Sequence, residues 1–191
     1  MNLASLIESH PADAPALISR GSRTSYGALR EQVGGLRGGL VGLGVKPGDR
    51  VAIVANNNWY FVVGYLAALG VGAVVVPLNP QAPPAELARE LATVGASTVL
   101  VGPAARAACE QVDRSSLPML EHRIGAGFSP EGGVELDDLI ASDPVPVVDR
   151  SDDDLAVLCF TSGTAGAPRA AMPVSYTHLR AHETKTGISY A

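Results

Sequence analysis

From Val51 to Ala85 the chain carries no charged side chain, and this one stretch limits the folds open to it. Phe61–Leu78 is almost wholly apolar and by length alone reaches what a bilayer crossing needs. Gly70, Gly72 and Pro77 interrupt its second half, where the residues change from helix-like FVVGYLAAL to β-branched AVVVP. A buried helix, a glycine turn and a buried strand explain that change better than a transmembrane segment. No integral membrane segment is therefore expected. A charge-free strand must be covered on both faces, which points to a parallel sheet.

The flanking sequence repeats the alternation. Thr24 or Ser25 can cap a helix running to Leu43, with Leu29, Val33, Leu36, Leu40 and Leu43 on one face. Gly34, Gly35, Gly38, Gly39 and Gly42 lie in the same helix, and each interior glycine costs about 1 kcal/mol against alanine. Such a helix must draw its stability from close packing on a neighbour. A turn at Val45–Arg50 leads to a strand at Val51–Ala55, a helix at Trp59–Leu69 and a strand at Ala73–Pro77. Pro83-Pro84-Ala85-Glu86 opens a helix to Val94, with prolines in its first turn and an acid near the positive end of the dipole. Ser97–Val101 reads as a strand, Ala104–Val112 as a helix, Glu131–Val134 as a turn, Asp143–Val148 as extended surface chain and Leu155–Phe160 as an apolar strand. The fold class is α/β: a partial parallel sheet with flanking helices.

Composition narrows the function. Of 191 residues, 47% are hydrophobic and 17% charged, enough for a core. Net charge is −5 and no two Lys or Arg are adjacent, so no nucleic-acid partner is expected. Cys109 and Cys159 form no CxxC pattern, which leaves neither a disulfide framework nor a zinc site and fits a reducing cytoplasm. Cys159, in an apolar run, reads as a small buried hydrophobe. The N-terminal residues have neither the basic start nor the apolar core of a signal peptide. His10 and His122 read as surface histidines.

After Phe160 comes Thr161-Ser162-Gly163-Thr164-Ala165-Gly166-Ala167-Pro168-Arg169. Three hydroxyls fall within four residues. Gly163 and Gly166 let backbone N–H groups turn toward a ligand, and consecutive amides make an anion-binding nest. Arg169 adds a permanent positive charge. Together they suit the phosphates of a nucleotide, while composition alone suits a plain surface turn equally well. Neither GxxxxGK[ST] nor GxGxxG is present.

The string DDLAVLCFTSGTAGAPRAAM, Asp153–Met172, resembles the signature of the acyl-adenylate-forming (AMP-binding) superfamily of acyl- and aryl-CoA synthetases, peptide-synthetase adenylation domains and luciferases, whose usual form is TSGTTGxPKG. Thr24-Ser-Tyr-Gly-Ala-Leu, Leu43-Gly-Val-Lys-Pro-Gly-Asp-Arg-Val-Ala and Ala67-Ala-Leu-Gly-Val-Gly-Ala-Val-Val-Val-Pro-Leu-Asn-Pro match in the same order. The resemblance covers residues 1–173, as an incomplete N-terminal domain. It implies an acid–thiol ligase that uses ATP, Mg2+ and CoA, and activates a fatty or aromatic carboxylic acid. Thr161, Ser162, Gly163, Thr164 and Gly166 would hold the β- and γ-phosphates with Arg169 as the cation. Ala165, Arg169 and Ala170 stand where threonine, lysine and glycine are usual, which alters the phosphate geometry. The magnesium-binding glutamate, the ribose-binding aspartate and the lysine of adenylation belong further downstream, so a fragment inactive alone is expected. A partial sheet also leaves strand edges open to aggregation.

Val174–Thr184 resembles translated sequencing-adapter sequence, and residues 174–191 read as a non-native tail. His178, His182 and Glu183 within it lack the third ligand a zinc site needs. Two other functions remain open: an adenylation domain that loads a carrier protein, and a non-catalytic nucleotide-binding fragment.

Overall fold

The computed structural model describes residues 2–19, 21–161 and 169–171. Ahead of the first long helix, β1 (Pro15–Ser19) and β2 (Ser22–Ser25) pair antiparallel, a hairpin that hydrophobic patterning does not announce. Ser25 then caps α1 (Tyr26–Gly42), its hydroxyl accepting from the Ala28 amide at 3.3 Å. Thr24, the other candidate cap, lies within β2 opposite Leu17.

The glycines of α1 have the neighbour their spacing requires. A Cβ at Gly35 would overlap the carbonyl oxygen of Ile140, and one at Gly38 the carbonyl oxygen of Asp143. At Gly39 it would come within 2.7 Å of the Leu139 carbonyl oxygen. The neighbour is α5 (Leu136–Ile140) and the chain just after it. Arg37, on the same helix, is only 7% exposed. Its Nε donates to the Val145 carbonyl at 2.6 Å, while burial lowers its pKa and Glu8 partly offsets that.

Five strands form one parallel sheet: β3 (Arg50–Val54), β4 (Val74–Leu78), β5 (Thr98–Val101), β6 (His122–Gly125) and β7 (Val134–Glu135), in the order β4-β3-β5-β6-β7. In register, Ile53 lies beside Pro77 on one side and Leu100 on the other. Alternate residues enter two cores. Val51, Ile53, Val75, Leu100 and Ile124 pack with α1 and α2 (Trp59–Val71). Ala52, Val54, Val76, Val99 and Val101 pack with α3 (Pro84–Val94) and α4 (Arg106–Glu110). Burial on both faces is why these strands read as continuous apolar runs.

α2 starts at Asn58, whose side chain accepts from the Phe61 amide, and stops at Gly72. Gly72 adopts φ 85°, a left-handed conformation open to glycine, which turns the chain straight into β4. A Cβ at Gly64 would meet Leu100 Cδ1 at 2.7 Å, so that glycine lets α2 sit down on the sheet. Among the described residues no helix is long and apolar enough to cross a membrane.

Some expected elements take a different form. The helix at 104–112 is a 3-10 turn, Pro103–Ala105, followed by the shorter α4. The turn at 131–134 already yields β7 at Val134. The chain at 143–148 is extended, but it is tied to the core: the Val148 amide donates to the Gly70 carbonyl at 2.8 Å and Asn2 Nδ2 to the Val148 carbonyl at 2.9 Å. His10 is exposed and stacks on Tyr26, whereas His122 is half-buried in β6 rather than on the surface.

Candidate functional site

The approach to the glycine-rich loop is built residue by residue along the free edge of β4. The acidic lead-in folds on itself: Asp154 Oδ2 accepts from the Ser151 amide at 2.7 Å and lies 3.2 Å from Arg150 Nε. The chain then runs parallel to β4. Val75 donates its amide to the Ala156 carbonyl, and the Leu158 amide donates to the Val75 carbonyl, both at 2.9 Å. This single bridge pairs Val75 on the β4 edge opposite β3. Side chains alternate here too, with Val157 and Cys159 toward the α1–α2 core and Leu158 and Phe160 toward the α3–α4 core.

The expected single strand at 155–160 is therefore two pieces. After the bridge the chain leaves β4 as β8 (Cys159–Thr161) and pairs antiparallel with β9 (Arg169–Ala171). Thr161 stands opposite Arg169, Phe160 opposite Ala170 and Cys159 opposite Ala171. Two candidate residues far apart in the loop are thus brought together by backbone pairing, their Cα atoms about 5 Å apart as such pairs require. Ser162, Gly163, Thr164 and Gly166 lie outside the described residues, as do Ala165, His178, His182 and Glu183. Residues 156–158 run parallel to β4 beside Val75, and the chain departs from that edge into β8.

The side chains around the start of β8 are structural. Cys159 is half-buried rather than fully buried, and burial raises its pKa. Tyr65 of α2 is pushed up to about 12, mainly by burial and then by the nearby Cys159. Neither thiol nor phenol is a poised acid or base near neutral pH. Among the described residues no three His, Cys, Asp or Glu side chains converge to hold a metal ion.

Known proteins share both the sequence and the fold. A family model described as AMP-binding enzyme matches residues 4–185. The chain is 34% identical over 171 residues to 3-[(3aS,4S,7aS)-7a-methyl-1,5-dioxo-octahydro-1H-inden-4-yl]propanoyl:CoA ligase of Mycobacterium tuberculosis, covering 84% of this chain and 33% of that protein. It is 32% identical over 159 residues to a long-chain-fatty-acid–CoA ligase of Thermus thermophilus, covering 82% of this chain and 28% of that one. It thus spans about a third of the length of these curated relatives. The crystal structure of the anthranilate CoA ligase AuaEII in complex with anthranoyl-AMP superposes with a TM-score of 0.88 at 24% identity, over 95% of this chain and 36% of that one. At that identity the likeness speaks for the fold. The family match runs through the sheet and on past the β8–β9 pair, so the chain belongs to the AMP-binding enzyme family.

Proposed function

We propose that this chain is the front part of an ATP-dependent acid–thiol ligase, and that its share of the work is to hold the phosphates of ATP. The single observation that carries this is the β8–β9 pair, which stands Thr161 opposite Arg169 just after the bridge to β4. Strands closed in this way pin both ends of the seven residues between them. Ser162, Gly163, Thr164 and Gly166 then supply hydroxyls and unhindered amides to the β- and γ-phosphates, and Arg169 a guanidinium. Donors fixed in advance need no reorganisation when charge builds up on the departing pyrophosphate.

The overall reaction is two displacements. A carboxylate oxygen attacks the α-phosphorus, the bond to the β-phosphate bridging oxygen breaks, and pyrophosphate leaves. The sulfur of CoA then attacks the acyl carbon, giving a thioester and AMP. Magnesium offsets phosphate charge when bound. The described residues hold no ligand cluster for it, and none of the steps assigned to this chain passes through the metal. The relatives' names, one a long-chain fatty acid and one a saturated fused-ring propanoic acid, support a carboxylic acid as substrate and leave its class open. The share of the reaction assigned to this chain is phosphate binding.

Equilibrium binding of pyrophosphate and ATP to the chain, followed by calorimetry, tests this reading. Arg169→Ala should weaken both by roughly tenfold or more, the worth of a charged hydrogen bond, while Arg169→Lys keeps the charge and restores most of the affinity. Equal affinity in Arg169→Ala and the parent would overturn it.

A further inference from the structure

The chain that enters β8 is held by one buried side chain far from it in sequence. Asn2 is 5% exposed, and its carboxamide is spent wholly on main chain. Nδ2 donates to the Leu69 carbonyl at 2.7 Å and to the Val148 carbonyl at 2.9 Å, and Oδ1 accepts from the Ala4 amide at 3.0 Å. Leu69 lies in the last turn of α2, where carbonyls lack the full set of helical partners. Val148 lies on the extended chain before β8, and its own amide donates to the Gly70 carbonyl. One amide thus ties the end of α2 to that chain. Among side chains of this length only a carboxamide presents two N–H donors and an acceptor together.

The tie reaches the approach to the loop. Asn2 and Leu3 line a gap of only about 10 Å³ together with Leu155 and Ala156. Leu3, Ala4, Ala156 and Val157 are buried in one core. The Ala156 carbonyl and the Leu158 amide make the two bonds to Val75, after which the chain leaves β4 and reaches Thr161. The seat from which β8 departs is therefore fixed by Val75 and by the residues packed around Asn2. We propose that Asn2 is a positioning residue for phosphate binding: it holds 156–158 in place, and so sets where the loop between Thr161 and Arg169 is presented. This rests on the phosphate-holding role proposed for the chain.

Calorimetric binding of pyrophosphate and hydrogen exchange, both on the full chain, test it. Asn2→Asp sets a second acceptor against two carbonyl oxygens. The fraction of molecules with the seat closed should fall, and apparent affinity falls by that fraction, here by about tenfold at about pH 7.5. Exchange at the Leu158 amide should speed up, while the Ala126 amide, bonded to the Val101 carbonyl at 3.0 Å, keeps its protection. A buried carboxyl facing carbonyls protonates above its ordinary range and regains one donor. The gap between Asn2→Asp and the parent, compared at equal pH, should therefore narrow toward about pH 5. Asn2→Ala loses the bonds without gaining a charge; it should weaken pyrophosphate by about threefold, by the same factor at every pH. A packing role alone would give equal losses in both variants and no narrowing, and would overturn the proposal. Exchange that accelerates at Ala126 as well would mean general unfolding and would also overturn it. Undiminished affinity in Asn2→Asp, with Arg169→Ala still weakened, would overturn it and leave the phosphate role standing. A parent chain that binds no pyrophosphate would overturn both.

Discussion

Gly35 and Gly42 lie in the same helix and should respond oppositely to one added methyl group. In an open helix, glycine to alanine stabilises by about 1 kcal/mol. At Gly42 nothing lies within 4 Å of the new Cβ, so Gly42→Ala should gain up to that amount. At Gly35 the same Cβ would overlap the backbone carbonyl oxygen of Ile140, with the carbonyl carbon 2.9 Å away and the Ser142 oxygen at 3.3 Å. Backbone cannot rotate aside as a side chain can, so α1 and α5 must separate. Overpacking typically costs about 1–3 kcal/mol, and a clash with main chain belongs at the upper end. After the propensity gain is subtracted, Gly35→Ala should destabilise by about 2 kcal/mol. For a chain of this size that lowers the thermal midpoint by about 4–8 °C, while Gly42→Ala raises it by about 2–4 °C. Paired thermal and urea unfolding of the two variants measures both. If Gly35→Ala were as stable as the parent, the close approach of α1 to α5 would be wrong.

Alkaline pH should weaken the fold. Burial, partly opposed by Arg123 and reinforced by Glu110, pushes the Cys109 thiol from an ordinary 9.0 up to about 11. A raised folded-state pKa means its contribution is complete below pH 9 and is lost as pH climbs through 11. Thermal midpoints should therefore fall between pH 9 and 11, and Cys109→Ala should flatten that fall. Truncating Arg37 removes its 2.6 Å bond to the Val145 carbonyl. Arg37→Ala should cost about 2–3 kcal/mol, the worth of a buried charged hydrogen bond. Hydrogen exchange at the Val148 amide, which donates to Gly70, should accelerate with it. Unchanged protection there would show that Arg37 does not tether 143–148.

The parts of this fold legible in the sequence are those whose burial left a pattern. β3, β4 and β5 are covered on both faces and so consist of Val, Ile, Leu and Ala apart from Arg50, Pro77 and Thr98. The α1 glycines announced a close neighbour but could not say which, because α5 is five residues long and two of the five, Asp137 and Asp138, are charged. β6 begins with His122 and Arg123 and lacks the apolar run that gave the others away. The β1–β2 hairpin reads as polar loop because Ser22–Ser25 is half-exposed. At the site, residue types in the loop pointed to phosphate, whereas the pairing of Thr161 with Arg169 depends on the chain leaving β4 after one bridge, and local sequence carries no signal for that.

Carboxylate-dependent exchange of labelled pyrophosphate into ATP tests the proposed chemistry most directly, on a protein that carries the downstream length its relatives have. Exchange should appear with a fatty or aromatic acid present and vanish without one. Removing a preorganised donor from the loop, as in Thr164→Val, should lower it by about 100-fold or more. Exchange that is indifferent to the acid, or that survives Thr164→Val and Arg169→Ala undiminished, would contradict a phosphate-holding role for Thr161–Arg169.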